Sequence, residues 1–121
     1  MLDVGNLEAV RDFTDVRDVV RAYWLLLQKG QAGRVYNVCS GTGTRMSDLL
    51  RVLIDVSGLR IEVRVDPARL RAGDVPELVG DPSRIKAETG WEPLIPLERS
   101  LADLLGYWRE RVAQAAPLPG R

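Results

Sequence analysis

Three arginines and one aspartate in this chain have the types and spacing to grip a phosphorylated ligand. Arg11 closes a short apolar segment near the N-terminus. Arg69 and Arg71 share a loop in the middle of the chain, and Asp74 follows Arg71 by three residues. Guanidinium forks bind phosphate oxygens in pairs, so arginines from separate segments can clamp a diphosphate. A carboxylate accepts hydrogen bonds from two vicinal hydroxyls, as a ribose offers. The same four residues also read as a solvated charged face, and on local sequence alone that is the preferred reading.

Other kinds of chemistry find less support. The chain has no histidine, which removes the commonest general base near neutral pH and the commonest zinc ligand. Its one cysteine, Cys39, sits in an apolar run with no basic partner and reads as a small buried hydrophobe. A Tyr-x-x-x-Lys pair would lower a tyrosine pKa for proton transfer. Here Leu27 follows Tyr23 at that spacing, Ser40 follows Tyr36, and Arg111 follows Tyr107, so no catalytic residue is assigned. The run Ser40-Gly41-Thr42-Gly43 has the start of a dinucleotide fingerprint, but the third glycine position is Met46. A plain strand–turn–helix connection is the reading preferred there, and no cofactor site is assigned to this chain.

The elements that would position the arginines follow from periodicity. Val4 to Asn6 and Val10 to Phe13 read as short extended pieces. Residues 15–29 predict a helix whose apolar face is Val16, Val19, Val20, Tyr23, Trp24 and Leu27, capped by Thr14 or Asp15 and ended by Gly30. Arg34 to Cys39 reads as a strand, Met46 to Ser57 as a helix, and Ile61 to Val65 as a half-buried strand. Asp66 to Asp74 is a loop or short helical turn, and Val75 to Val79 an edge segment because of Pro76. Asp81-Pro82 opens a short helix that stops before Gly90. A last helix carries Leu97, Leu101, Leu104, Leu105, Trp108 and Val112 as one stripe. Residues 116–121 read as a disordered tail.

Composition sets outer limits. The apolar fraction is 45% and the charged fraction 28%, ordinary for a globular α/β domain. Basic and acidic residues number 17 each, so there is no cationic surplus for nucleic acid. No apolar run approaches the roughly 20 residues that span a bilayer. No leader is visible at the N-terminus, and the expected location is cytoplasmic.

Several motifs together, in order, resemble one family. Val4-Gly5-Asn6-Leu7-Glu8-Ala9-Val10-Arg11-Asp12-Phe13 resembles the "VGNL-x-A-x-RDF" segment of GDP-sugar enzymes in the extended short-chain dehydrogenase/reductase family. Val35 to Gly41 is similar to its "YNVCSG", and Leu70 to Pro76 to its "LRP-x-[DE]-V-P". Gly80-Asp81-Pro82-Ser83 and Thr89-Gly90-Trp91-Glu92-Pro93 resemble its "GDPS" and "TGW-x-P". The chain departs at Ala72, where the family has proline, which loosens the loop that aims Arg71.

The resemblance implies a function for the clamp. Arg11 and Arg71 match the two arginines that hold the nucleotide diphosphate, and Asp74 the acidic residue that holds the ribose. Arg69 matches no motif and stays a surface residue. The implied fold is α/β, the C-terminal substrate-binding region of a Rossmann-type enzyme over residues 1–115, with most of the NAD(P)-binding core absent. Residues 15–39 would complete the Rossmann sheet in a full protein. The implied ligand is a GDP-sugar, and the implied reaction is NADPH- or NADH-dependent reduction of a GDP-linked 4-keto-6-deoxyhexose. The 4,6-dehydratase branch and a stand-alone binding module are the alternatives. The family's glycine-rich NADP or NAD loop and its Tyr-x-x-x-Lys pair lie upstream of "VGNL", so no turnover is expected of this chain alone. The expected partner is an upstream Rossmann-domain polypeptide, or a second copy paired through the strand at 34–39 and the helix before it.

Overall fold

The computed structural model describes residues 1–115. Two small sheets and four helices make up this part of the chain. β1 (Leu2–Val4) pairs in parallel with β4 (Val63–Val65). β2 (Val10–Asp12) is the middle of the second sheet. It runs antiparallel to β3 (Gly43–Arg45) and parallel to β5 (Glu77–Leu78). β5 lies on an edge, as Pro76 beside it requires. A 3₁₀ turn over Pro67–Arg69 separates β4 from the loop that leads to β5.

The helices are α1 (Val16–Lys29), α2 (Met46–Ser57), α3 (Ser83–Thr89) and α4 (Leu97–Gln114). Their ends follow local chemistry. The Asp15 carboxylate accepts the Arg17 amide at 2.9 Å and caps α1. The Ser83 amide donates to the Asp81 carboxylate at 2.9 Å, but Pro82, expected as the first helical residue, is the cap of α3 and Ser83 begins the helix. Gly58 and Gly90 take the left-handed conformation just past α2 and α3, with φ of 70° and 74°.

The core is small. Ala22 of α1, Ile85 of α3 and Trp91 are fully buried together, with Leu25, Leu26, Tyr36 and Val38 packed around them. Leu101 anchors α4, which packs on α2.

Three expectations are corrected here. First, the apolar face expected of α1 points outward. Leu27 is 82% exposed, and Val16, Val20, Tyr23 and Trp24 are exposed with it. The side that packs inward carries Asp18 and Ala22. Asp18 fixes that choice, because its carboxylate accepts the amides of Leu94 and Ile95 at 3.0 and 2.9 Å. A buried polar residue that satisfies two part-buried main-chain donors outweighs the apolar pattern of the opposite side. Burial pushes the Asp18 carboxyl up, but these amides and Arg21 outweigh it and leave it below its ordinary value.

Second, Arg34 to Cys39 is not a strand. The alternation survives: Tyr36 and Val38 pack inward while Val35 is 76% exposed. The ladder does not form, because no described segment runs alongside. The Val35 carbonyl takes the Arg84 guanidinium at 2.8 Å instead. Third, the stripe on α4 is buried only at Leu101, and Leu104, Trp108 and Val112 are exposed. Smaller shifts move β1 to Leu2–Val4 and place a strand at Gly43–Arg45, where only a turn and a helix start were expected. Residues 116–121, expected as a disordered tail, lie outside the described residues.

Candidate functional site

Arg11 lies on the central strand of the three-stranded sheet, half-buried, level with Thr44 on one side and Leu78 on the other. Its guanidinium donates through Nη1 to the Val10 carbonyl at 2.8 Å. Among the described residues it forms no ion pair. The neighbouring carboxylate is committed elsewhere. Successive side chains on a strand leave opposite faces, and Asp12 accordingly turns away from Arg11. Asp12 accepts the Ser40 amide at 2.9 Å, the Ser40 hydroxyl at 2.6 Å, the Gly41 amide at 2.9 Å and the Gly80 amide at 3.2 Å. Burial raises the Asp12 carboxyl, but the Ser40, Gly41 and Gly80 donors more than offset it and hold the group below the usual range. Asp12 therefore ties two segments, at Ser40–Gly41 and at Gly80, to β2 and leaves the Arg11 cation available.

Arg71 and Asp74 occupy the loop that runs from the 3₁₀ turn to β5. Every residue from Leu70 to Leu78 is exposed. The loop is fastened at both ends to the β1–β2 segment. The Asp66 amide donates to the Val4 carbonyl at 2.9 Å, and the Val10 amide to the Pro76 carbonyl at 2.9 Å. In between, Gly5 lies so close to Arg69 that a Cβ there would stand 2.9 Å from the Arg69 carbonyl oxygen. Asn6 donates through Nδ2 to Asp74 Oδ2 at 3.2 Å. Asp74 is four residues before Leu78, the residue level with Arg11. At about 3.3 Å per extended residue that is at most about 13 Å of chain. The fold thus brings Arg11 and Asp74 to neighbouring strand and loop. Arg71 sits on the free span of the loop, exposed and without an ion-pair partner among the described residues. Arg69 pairs with Asp66 at 3.5 Å, in keeping with a surface role.

Two residues that matter here were not singled out from sequence. Asp12 could have been suspected from a strand that ends in a charge between Arg11 and Phe13. Asn6 had only a weak signal, the Gly-Asn pair that marks a turn. Its Oδ1 accepts the Glu8 amide at 2.9 Å, closing that turn.

The glycines of Ser40 to Gly43 do not make a pyrophosphate cradle. A Cβ on Gly41 would lie 3.1 Å from the Pro82 ring, and one on Gly43 would lie 2.6 Å from Val10 and 2.9 Å from Val79. The space next to both glycines is filled by the protein's own side chains. This turn does not fit the pyrophosphate of a nicotinamide dinucleotide. Among the described residues no three His, Cys, Asp or Glu side chains gather as a metal site. Cys39 is half-buried in a bend, and burial together with the nearby Asp12 raises its thiol pKa, so it is a poor nucleophile. No helix among the described residues is long and apolar enough to cross a membrane. A cavity of about 520 Å³ lies away from Arg11, beside the unpaired 34–39 segment, lined by Val35, Asn37, Asp81, Ser83, Arg84 and Ala87.

Comparison with known proteins shows which family the chain resembles in sequence and fold. Residues 1–104 match the family model described as GDP-mannose 4,6 dehydratase. The chain is 41% identical over 113 residues to the GDP-6-deoxy-D-mannose reductase of Pseudomonas aeruginosa, covering 93% of this chain and 37% of that protein. It is similar in fold to the structure of RMD from Pseudomonas aeruginosa complexed with NADPH, with a TM-score of 0.85 and 38% identity. That match covers 91% of this chain and 36% of the other. UDP-glucose 4-epimerase from Thermotoga maritima with UDP-glucose gives a TM-score of 0.83 at 35% identity, over 92% of this chain and 35% of that one. The chain spans little more than a third of the length of these relatives.

Proposed function

The chain belongs to the GDP-mannose 4,6 dehydratase family, and from that premise we propose that it is the substrate-binding part of an NAD(P)-dependent GDP-4-keto-6-deoxy-D-mannose reductase. Arg11 and Arg71 hold the diphosphate of the nucleotide sugar and Asp74 accepts the ribose hydroxyls. The observation that carries this reading is Arg11: a half-buried guanidinium with no carboxylate partner among the described residues. A buried or half-buried charge is costly unless it is paired, and an anionic ligand supplies the missing partner.

In this reading the hydride and the proton that convert the 4-keto group to an alcohol come from a dinucleotide-binding part, on the same polypeptide or another. The surface of this chain supports a division of that kind. It exposes 9148 Å², against about 6,500 Å² for a compact monomer of its mass. The outward face of α1 and the unpaired 34–39 segment are where such a part would seat, and where the excess surface favours self-association while it is absent. The place of action in this reading is the cytoplasm. The family model's own description favours a second reading, a GDP-mannose 4,6-dehydratase with the same nucleotide clamp.

The test is binding and turnover by the 121-residue chain. Two-dimensional ¹H–¹⁵N spectra titrated with GDP are expected to shift residues around Arg11 and the 70–78 loop at millimolar concentration. Arg11→Ala and Arg71→Ala are each expected to weaken binding at least tenfold, the worth of a hydrogen bond to a charged group. Shifts unchanged by both substitutions would overturn the clamp. With GDP-4-keto-6-deoxymannose and NADPH the chain alone is expected to oxidise no cofactor, since side chains supply no hydride.

A further inference from the structure

The 70–75 loop has no regular structure and no buried residue, yet one of its side chains must keep a fixed orientation if it is to recognise a pair of hydroxyls. We propose that Asn6 is the positioning residue for Asp74, and that its amide sets the plane in which the carboxylate meets the 2′- and 3′-hydroxyls of a ribose. The proposal rests on the reading of Asp74 as the ribose acceptor.

The orientation of Asn6 is determined from its other end. Its carbonyl oxygen accepts the Glu8 amide at 2.9 Å, so its NH₂ group must point the opposite way, toward Asp74 Oδ2 at 3.2 Å. The turn that follows β1 therefore fixes the amide, and the amide fixes the carboxylate 68 residues further along the chain. A carboxylate offers about four acceptor positions. Asn6 occupies one and leaves the rest, so the contact orients Asp74 without consuming it. An ion pair in the same place would compete with the ligand for those positions. Gly5 belongs to the same device, because a Cβ there would stand 2.9 Å from the Arg69 carbonyl oxygen and the main chain that leads into the loop would have to shift. Two neighbouring residues, one chosen for absence of a side chain and one for its amide, together hold a loop that Ala72 leaves without a proline.

The readout is discrimination between GDP and 2′-deoxy-GDP, measured by titration of the 121-residue chain in ¹H–¹⁵N spectra at pH 7. Inorganic pyrophosphate serves as a probe of the arginines alone. The unsubstituted chain is expected to favour GDP about tenfold, one hydrogen bond to a charged acceptor. Asn6→Ser keeps an acceptor for the Glu8 amide but lacks the donor. Asn6→Asp keeps the turn and sets a like charge against Asp74. Both are expected to bring the preference close to unity while pyrophosphate affinity stays within about twofold, and the folded spectrum is expected to persist. A preference that survives in both Asn6 variants but is lost in Asp74→Ala overturns the positioning role and leaves the clamp standing. A preference absent from the unsubstituted chain, or retained by Asp74→Ala, overturns the ribose reading and this inference with it.

Discussion

The indole N–H of Trp91 donates to the main-chain oxygen of Asp18 at 2.9 Å, and the Asp18 carboxylate in turn accepts the amides of Leu94 and Ile95. One residue of α1 thus takes three donors from the segment that joins α3 to α4. Asp18→Ala would strand two main-chain amides, at about 1–3 kcal/mol each. The expected loss is about 2–6 kcal/mol. Asp18→Asn, which retains one acceptor oxygen, is expected to lose less. Urea unfolding followed by tryptophan fluorescence measures both, because Trp91 is the tryptophan that is fully buried, whereas Trp24 and Trp108 are exposed.

Acid is expected to unfold the chain through its aspartates. Arg17 is the largest influence on Asp15 and holds it well below the usual carboxylate range, while Asp12 and Asp18 are lowered by their amide and hydroxyl donors. A carboxyl with a depressed folded pKa stabilises the fold above its unfolded value, near 3.9, and loses that contribution as pH falls through the folded value. Stability is therefore expected to be flat from about pH 7 to 5 and to fall steeply below about pH 4. Circular dichroism at fixed urea checks the sign. A loss beginning near pH 6 would point to other groups.

Gly5→Ala separates the site from the fold. The added methyl would meet the Arg69 carbonyl oxygen at 2.9 Å, and main chain rather than a flexible side chain must give way. The loop is exposed, so the expected cost in global stability is at most about 1 kcal/mol. Nucleotide binding is expected to fall at least fivefold, as the loop carrying Arg71 and Asp74 moves. A variant that binds GDP normally would show that the loop position does not matter.

Self-association is the fourth expectation. The outward face of α1 places Val16, Val20, Tyr23, Trp24 and Leu27 in solvent, and the backbone of 34–38 beside it lacks a strand partner. Sedimentation equilibrium at micromolar concentration is expected to show species above the 13.5 kDa monomer. Leu27→Lys is expected to reduce them without loss of secondary structure, since Leu27 is already exposed. Val38 is unsuitable for that purpose because it packs on the Ala22, Ile85 and Trp91 core. A clean monomer mass would rule the association out.

Much of this was legible in the sequence, and the residues that were not share a physical reason. Caps and stops are local, so Asp15 and Gly90 marked helix ends correctly, and Asp81 was one residue early. The motifs around Arg11, Arg71 and Asp74 pointed to the family. The inward face of α1 was hidden because it is chosen by Asp18, whose partners Leu94 and Ile95 come more than seventy residues later. The run at 34–39 was expected as a strand, but pairing needs a neighbour that the described residues do not include. Asn6 and Asp74 gave no mutual sign, since a single hydrogen bond between distant turns leaves no periodicity to detect.

The pairing of β1 with β4 and of β2 with β5 also sets a timetable. Leu2 finds Val63, Val10 finds Glu77, and Asp18 finds Leu94. Each is a parallel or long-range closure that must lose its loop entropy before the contact rewards it, which makes folding slow relative to a helical bundle of the same size. On the ribosome the first three elements must wait. At roughly 5–20 residues per second, the N-terminal strands emerge seconds before the segments that complete them. Through that interval α1, with its apolar face and its buried-to-be aspartate, is a nascent helix whose two sides are both unclaimed.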